Sequence, residues 1–488
     1  MLARARLLQY NADMQNDTIA AIATPPGQGG IGVIRVSGAE AFALVQPLFR
    51  FSGQANGLPP SHMLTYGRIV DPATQEILDE VLVAFMRAPR TYTREDVVEI
   101  QGHGGPLLLQ RILGLLLAGG ARLANPGEFT LRAFLNGRLD LAQAESVMDL
   151  ISARTAAGQR LAMQQLQGYV STQVQDARHA VLGVIARIEA SIDFPEDDIP
   201  TPSADELRPL IESARDKVAT LLAGSEQGRL YRQGLRTAII GRPNVGKSSM
   251  LNALLRVERA IVTPIAGTTR DTVEEVVNLR GIPLYLIDTA GITPGNDPVE
   301  QIGVQRSRAA AESAEVVLLI FDGSQPLSEQ DRQVSSELRV MGFGGPESAE
   351  GEDEKRRSVL IAINKADQEQ KLDLETVRQL WPEVSVVSTS TVTGEGLGEL
   401  EEALANLVLG GHASFGEETL ITSTRHQAAL RAAAEHLRAG LHALEQALPL
   451  DFVSIDLVAA YHNLGEVTGE TASEDLLERI FSEFCIGK

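Results

Sequence analysis

The sequence predicts a multidomain fold in which a doubly wound α/β domain is inserted into an all-α domain. At 488 residues the chain is too long for one ordinary core, and about three domains are expected. Between residues 235 and 408, short apolar runs alternate with amphipathic ones, as in a mostly parallel sheet covered by helices. Helical periodicity precedes and follows that segment.

The apolar runs of the α/β segment define its predicted strands. Ligands of doubly wound sheets bind at the carboxyl ends of the strands, and polar motifs follow these runs. A binding site is therefore expected at that edge. The runs cover residues 237–240, 284–287, 316–321, 359–363 and 384–387.

The first motif is a phosphate loop. Residues 241–249 read Gly-Arg-Pro-Asn-Val-Gly-Lys-Ser-Ser, between a predicted strand and a helix-forming run. In that context backbone N–H groups and the helix N-terminus surround a phosphate chain, whereas a plain glycine-rich turn is the alternative. Lys247 is expected to reach the β and γ phosphates of a nucleotide, and Ser248 to bind Mg²⁺. The other predicted contacts of this loop are Asn244, Val245, Gly246 and Ser249.

Further motifs indicate a guanine nucleotide. Asp288-Thr289-Ala290-Gly291 suits a switch that faces Mg²⁺ and the γ-phosphate. In Asn364-Lys365-Ala366-Asp367, the aspartate can accept two hydrogen bonds from guanine, and adenine offers no matching pair of donors. Ser390-Thr391-Val392 is expected at the base carbonyl. Thr263-Pro264-Ile265-Ala266-Gly267-Thr268-Thr269 predicts a second switch whose last threonine completes the Mg²⁺ shell; a surface loop is its alternative.

A monovalent cation is predicted beside the phosphates. Many GTPases carry a glutamine after the switch glycine to orient water, but Ile292 cannot form that hydrogen bond. Asn244 and the carbonyl-rich loop 263–268 are suited to coordinate a cation, which would stabilise the developing negative charge.

Composition and charge limit the classes of function. With 44% apolar and 22% charged residues the chain has a globular profile, and it has no apolar stretch long enough to span a membrane. Its net charge of −21 argues against coating nucleic acid, although a local basic surface can still hold RNA. The single cysteine, Cys485, excludes an intramolecular disulfide and predicts a reducing, cytoplasmic setting.

Two amphipathic helical segments flank the α/β segment. Apolar residues recur at helical spacing from Val181 to Ile192 and again from Leu430 to Leu448. Because each apolar face needs a partner, residues from about 139 to 230 are expected to pack against residues from about 417 to 488.

The flanking sequences carry a resemblance to a known family. The central segment resembles the GTPases of the Era, Der and MnmE group, which share Asn-x-Gly-Lys-Ser-Ser and Gly-Thr-Thr-Arg-Asp. Around it stand Pro-Pro-Gly-Gln-Gly-Gly-Ile-Gly-Val-Ile-Arg-Val-Ser-Gly at 25–38, Tyr-Thr-Arg-Glu-Asp-Val-Val-Glu-Ile at 92–100, Pro-Gly-Glu-Phe-Thr-Leu-Arg-Ala-Phe-Leu-Asn-Gly-Arg at 126–138 and the terminal Cys-Ile-Gly-Lys. These four stretches closely resemble the MnmE (TrmE) family over nearly the whole chain.

That resemblance implies a domain organisation. An N-terminal α/β folate-binding and dimerisation domain would cover residues 17–138, and the helical domain would comprise residues 139–232 and 417–488. The Era-like GTPase domain would occupy residues 233–410 between them.

The resemblance also implies site residues, cofactors and partners. It places 5-formyl- or methylene-tetrahydrofolate at Arg35, Glu99, Arg138 and Lys488, where the family usually has lysine at position 138. It places potassium at Asn244, Thr263, Ile265 and Thr268, and it makes Glu300 the residue that orients the hydrolytic water. The implied activity is GTP hydrolysis coupled to modification of carbon 5 of a tRNA wobble uridine. The implied assembly is a homodimer that forms a heterotetramer with a flavin-dependent MnmG-type partner.

Several alternatives stay open at this point. Cys485 is either a nucleophile toward the uridine ring or a small buried apolar side chain at a helix end. His103, between glycines, favours a turn residue over an acid or base. The competing functions are an Era-like ribosome-assembly GTPase and a folate-dependent transferase that carries an unrelated GTPase.

Overall fold

A computed structural model describes residues 17–52, 59–193, 200–257, 275–287, 308–344, 357–409 and 421–488. No helix within these ranges is long and apolar enough to cross a membrane.

The N-terminal part is built on a mostly antiparallel sheet with strand order β3-β4-β5-β6-β2-β1-β7. Its inward-facing residues are largely β-branched and aromatic, which suits a pleated sheet with one buried face. Two helices, α1 (Ala41–Val45) and α2 (Pro106–Ala118), contribute to the same core. The strands are β1 (Ile19–Ile22), β2 (Gly29–Ser37), β3 (Phe49–Phe51), β4 (Leu64–Val70), β5 (Ile77–Met86), β6 (Val97–Gly104) and β7 (Arg122–Leu123).

Strands β1 and β2 form an antiparallel hairpin, in which Ile19 lies opposite Ser37. On its other side β2 pairs with β6 and places Arg35 directly opposite Glu99. Neighbouring antiparallel strands therefore present these two side chains on the same face of the sheet.

The predicted turn at His103 is wrong, because this residue lies within β6. The glycines beside it permit close approach of neighbouring groups. A Cβ at Gly104 would lie 2.5 Å from the Gly29 carbonyl oxygen, and one at Gly102 would collide with the Asp79 carboxylate. His103 Nδ1 contacts Asp79 Oδ1 at 2.6 Å, which raises the pKa of the imidazole.

The central part has a sheet with strand order β13-β12-β11-β8-β10-β9. All neighbouring pairs are parallel except β9–β10, an antiparallel edge that the sequence analysis did not predict. The strands are β8 (Leu235–Ile240), β9 (Glu275–Leu279), β10 (Ile282–Ile287), β11 (Val316–Asp322), β12 (Ser358–Asn364) and β13 (Val386–Ser388). Its helices are α9 (Lys247–Val257), α10 (Glu329–Val340), α11 (Leu374–Leu380) and α12 (Leu397–Leu409). Two apolar cores lie on its two faces, as a doubly wound sheet requires.

The remaining helices precede or follow the central domain along the chain. They are α3 (Glu128–Leu135), α4 (Leu141–Ser152), α5 (Ala156–Leu166), α6 (Tyr169–Asp193), α7 (Ala204–Ala223), α8 (Ser225–Gln233), α13 (Thr424–Glu445), α14 (Leu450–Thr468) and α15 (Glu474–Ser482). One apolar core joins α6 and α7 to α13 and α14, as their periodicity predicts. The outer ends of the two predicted stripes, Ile192 and Leu448, are exposed instead.

The C-terminal helix α15 packs against the N-terminal part. Leu131 on α3 and Phe481 on α15 belong to one small apolar core. Gly127 allows this contact, since its φ is 68° and a Cβ there would lie 2.5 Å from the Phe481 carbonyl oxygen. The last residues of the chain therefore lie beside the first sheet, where a Cβ on Gly487 would lie 2.7 Å from the Ile22 carbonyl oxygen.

Candidate functional site

The phosphate loop connects β8 to α9 at the carboxyl edge of the central sheet. Asn244 and Gly246 have positive φ angles of 66° and 103°, which turn successive backbone groups inward. Lys247 begins α9, and its Nζ donates to the carbonyl oxygens of Gly241 (2.8 Å) and Arg242 (2.9 Å). The ammonium thus lies over the loop, where a phosphate chain would bind.

Asn364 connects the phosphate loop to the loop that follows β13. Its Nδ2 donates to the Val245 carbonyl oxygen at 2.9 Å, and its Oδ1 accepts a hydrogen bond from the Thr391 amide at 3.3 Å. Gly246 leaves room for this side chain, since a Cβ at that position would collide with Asn364 Nδ2. One asparagine therefore fixes the distance between the predicted phosphate and base contacts.

The predicted base-binding aspartate is held by the serine of the next motif. Asp367 Oδ1 accepts a hydrogen bond from Ser390 Oγ at 2.6 Å, and Ser390 Oγ accepts the amides of Val392 (3.3 Å) and Thr393 (3.2 Å). This arrangement orients the Asp367 carboxylate before any base is bound, which reduces the cost of ordering it.

Lys365 forms an ion pair with Asp322, at the end of β11, with 2.7 Å between Nζ and Oδ2. Burial raises the pKa of Asp322, but hydrogen bonds from Lys365 and Ser324 outweigh it, and the net pKa is lowered. Asp322 therefore stays ionised and fixes Lys365 next to the predicted base pocket.

Part of the predicted nucleotide site lies outside the described residues. Of the phosphate-loop contacts, Asn244, Ser248 and Ser249 are exposed and Val245 is buried in a core. The predicted residues outside the described ranges are Thr263, Pro264, Ile265, Ala266, Gly267, Thr268, Thr269, Asp288, Thr289, Ala290, Gly291 and Glu300.

A second cluster forms where the first sheet meets the last residues of the chain. Arg35 forms an ion pair with Glu99, with distances of 2.9 Å from Nε and 2.8 Å from Nη2 to the same carboxylate oxygen. Its Nη1 donates to the Gly487 carbonyl oxygen at 3.2 Å. Burial and the nearby Arg35 lower the pKa of Lys488, although Glu99 and Cys485 oppose this shift. Three of the four predicted folate contacts, Arg35, Glu99 and Lys488, are therefore neighbours.

Arg138, the fourth predicted contact, joins this cluster through an aromatic ring. Its guanidinium lies 4.7 Å from the centroid of Tyr92, and the Arg35 guanidinium lies 5.2 Å from the same centroid. Phe129 contacts Arg35 from another side at 5.6 Å. No roles were predicted for Tyr92 and Phe129, although both belong to sequence stretches that carry the family resemblance.

Cys485 is exposed, so the alternative of a buried apolar side chain is wrong. Its carbonyl oxygen accepts hydrogen bonds from the amides of Gly127 (3.4 Å) and Lys488 (3.3 Å). These bonds fix the backbone of the terminal turn and leave the thiol accessible.

A buried ionic network links helices α4 and α13 within the helical part, and no sequence pattern predicted it. Glu145 on α4 accepts hydrogen bonds from Arg425 Nε (2.8 Å) and Nη2 (3.0 Å) and contacts His426 Nε2 at 2.7 Å. Burial opposes ionisation of Glu145, but its attraction to His426 and Arg425 lowers the carboxyl pKa to about 2. Burial lowers the pKa of His426 more than Glu145 raises it.

Two neighbouring contacts lie close to the start of the central domain. Arg232, near the end of α8, donates from Nε to Asp149 Oδ1 on α4 at 2.6 Å. Thr155 Oγ1 donates to the Gly281 carbonyl oxygen at 2.6 Å, in the turn between β9 and β10. Asp149 therefore links α4 to α8 within the helical part, and Thr155, the residue that caps α5, contacts the domain that carries the nucleotide motifs.

Comparisons with known proteins agree with this arrangement. A family model described as "MnmE helical domain" matches residues 141–485, and one described as "GTP-binding protein TrmE N-terminus" matches residues 18–138. The tRNA modification GTPase MnmE of Ligilactobacillus salivarius is 46% identical over 473 residues, which cover 97% of this chain and 98% of that protein. The chain belongs to the MnmE family. A second family member, from Enterococcus faecalis, is 45% identical over 98% of this chain and 100% of that protein.

These matches confirm three predictions, namely the family, the multidomain fold class and the activity as a GTP hydrolase. Among solved structures, Era of Aquifex aeolicus bound to GDP and aluminium fluoride is 26% identical. That match covers 41% of this chain and 66% of that chain, with a TM-score of 0.27. The individual site residues and the domain boundaries stay predictions.

Proposed function

We propose that this protein is a potassium-stimulated GTPase that installs an aminomethyl or carboxymethylaminomethyl group at carbon 5 of the wobble uridine of certain tRNAs. It would take a one-carbon unit from a tetrahydrofolate and act in the cytoplasm as a homodimer, within a heterotetramer that includes a flavin-dependent MnmG-type partner. The observation that carries this proposal is the convergence of Arg35, Glu99 and Lys488 from opposite ends of a chain whose nucleotide motifs lie elsewhere.

The nucleotide site binds GTP and Mg²⁺ through its four motifs. Lys247 neutralises the β and γ phosphates, Ser248 and Thr269 hold Mg²⁺, and Asp367 selects guanine. Asn244 and the segment with Thr263, Ile265 and Thr268 would hold potassium, which would supply positive charge near the transition state. Glu300 orients the attacking water.

The second cluster binds the folate. Arg35, Arg138 and Lys488 offer cations for its carboxylates, and the half-buried Tyr92 offers a flat apolar surface for its rings. Glu99 keeps Arg35 in place and offers an acceptor for ring N–H groups.

Cys485 supplies the nucleophile toward the uridine ring, because its thiol is exposed at the end of the same cluster. Changing Cys485 to Ser should lower the modified nucleoside without altering GTP turnover. Unchanged nucleoside levels would remove the nucleophile from the mechanism.

Retention of 5-formyl-tetrahydrofolate by the purified protein, measured with GTP turnover, tests the two sites separately. Arg35→Ala should abolish folate retention and preserve GTP hydrolysis, whereas Lys247→Ala should do the reverse. Replacing potassium by sodium should slow hydrolysis by wild type. Absence of folate retention by wild type would refute the one-carbon part of the proposal, and equal rates in both salts would refute the potassium site.

A further inference from the structure

An unusual arginine lies at the edge of the folate cluster. Arg94 has a backbone φ of 62°, in the left-handed region that is costly for a side chain other than glycine. Its Nη1 donates to the Asn136 carbonyl oxygen at 2.8 Å, and Asn136 Nδ2 donates to the Thr93 carbonyl oxygen at 2.7 Å. The segment around Arg94 is thereby attached to the turn that carries Arg138.

This edge of the molecule presents several exposed arginines. Arg90, Arg94 and Arg138 are exposed, and within the described ranges none of the three forms an ion pair with a carboxylate. The nearby acids are occupied, since Glu95 pairs with Arg132 and Asp96 Oδ1 accepts the Ala88 amide.

Arg94 lies close to Arg138 at the candidate reaction centre, and Arg90 precedes Arg94 by four residues on the same loop between β5 and β6. A Cβ on Gly137 would lie 3.5 Å from Arg94 Nη1, and the next residue, Arg138, stacks on Tyr92. Tyr92 also contacts Arg35, which binds the terminal residues near Cys485. A polyanion that follows Arg90 and Arg94 would therefore pass beside the folate cluster.

We propose that Arg90 and Arg94 form a docking surface for the phosphates of the RNA strand that flanks the target uridine. The inference rests on the proposed function and adds the place at which the RNA binds. A chain with a net charge of −21 repels RNA over most of its surface, so a local group of unpaired guanidinium groups decides where the backbone lies. Arginine binds phosphate oxygens in a bidentate manner, and the exposed guanidinium groups of Arg90 and Arg94 are available for such contacts.

The backbone strain at Arg94 supplies a clean test. Arg94→Gly removes the cation and relieves the left-handed strain, so the variant should fold with an unchanged or higher Tm. Its affinity for an anticodon stem-loop RNA should fall about fivefold to tenfold, as should that of Arg90→Ala. The slope of log affinity against log salt should decrease by about 0.7 to 0.9 for each phosphate contact that is lost. Arg94→Lys keeps the charge and should retain most of the slope.

Arg68→Ala is the matched control, since it removes an exposed arginine of the same sheet that is paired with Glu80. The control should leave RNA affinity and salt slope unchanged. Equal affinity and slope in Arg94→Gly and wild type, an equal loss in Arg68→Ala, or no RNA binding by wild type would overturn the docking surface.

Folate retention separates this proposal from its alternative. Arg90→Ala, which changes no contact of the folate cluster described above, should retain 5-formyl-tetrahydrofolate as wild type does. Loss of folate with unchanged RNA affinity would overturn the proposal and assign the arginines to the folate tail. The proposed function itself fails on a different result, namely unaltered wobble nucleosides in cells that lack the protein.

Discussion

Replacing Glu145 by glutamine should lower the free energy of unfolding of the helical part by about 3 kcal/mol at pH 7, as an upper estimate. Glu145 is buried and accepts hydrogen bonds from Arg425 and His426, and its pKa is lowered from 4.5 to about 2. At 1.36 kcal/mol for each pKa unit, that difference corresponds to about 3 kcal/mol. Glutamine keeps the shape of the side chain but leaves the Arg425 charge buried without its partner.

The pH dependence of this effect has a definite sign. Because the pKa of Glu145 is lower in the folded state, its stabilisation is present in full above pH 4.5 and is lost as pH falls toward 2. The difference between wild type and Glu145→Gln should therefore decrease from about 3 kcal/mol at pH 7 to about 2 kcal/mol at pH 3.5.

Urea unfolding followed by circular dichroism measures the loss of helix. The single tryptophan, Trp381, is fully buried in the central domain, so its fluorescence reports that domain in the same samples. Glu445→Gln is the control, because this glutamate lies on α13 in an exposed ion pair with Arg208 and should contribute less than about 1 kcal/mol. A Glu145→Gln protein as stable as wild type at pH 7, or a difference that does not change with pH, would refute the reasoning.

Three further predictions concern the two candidate sites. Gly246→Ala should lower GTP affinity at least about tenfold in a nucleotide titration, because the positive φ and the collision with Asn364 distort the phosphate loop. Asp367→Asn should shift nucleotide preference toward xanthosine nucleotides, and strict GTP preference in competition assays would count against the base assignment. Gly127→Ala should displace α15 through Phe481 and lower folate retention, with GTP affinity unchanged; equal retention would exclude that coupling.

The nucleotide motifs were predictable because each is a contiguous stretch at a strand end. A phosphate loop needs only its own backbone and the start of one helix, so the sequence of residues 241–249 was sufficient to predict it. The antiparallel strand β9 was missed because no motif follows it and because it forms an edge, where short alternating runs are weak evidence.

Contacts between distant residues were not predictable from local patterns. Arg35 and Gly487 are 452 positions apart, and the family resemblance alone indicated that the chain ends meet. The ion pair of Glu145 and Arg425 spans 280 positions, and each residue by itself resembles an ordinary polar position on a helix. His103 was misjudged because its glycine neighbours also suit a strand against which other groups pack closely.

Mass spectrometry of tRNA nucleosides from a deletion strain tests the central claim most directly. The strain should lack the carbon 5 substituent of wobble uridine, and the wild-type gene should restore it. Genes that carry Arg35→Ala or Lys247→Ala should each fail to restore it, because folate binding and GTP hydrolysis are both required. Full modification in the deletion strain, or full restoration by either variant, would contradict the account.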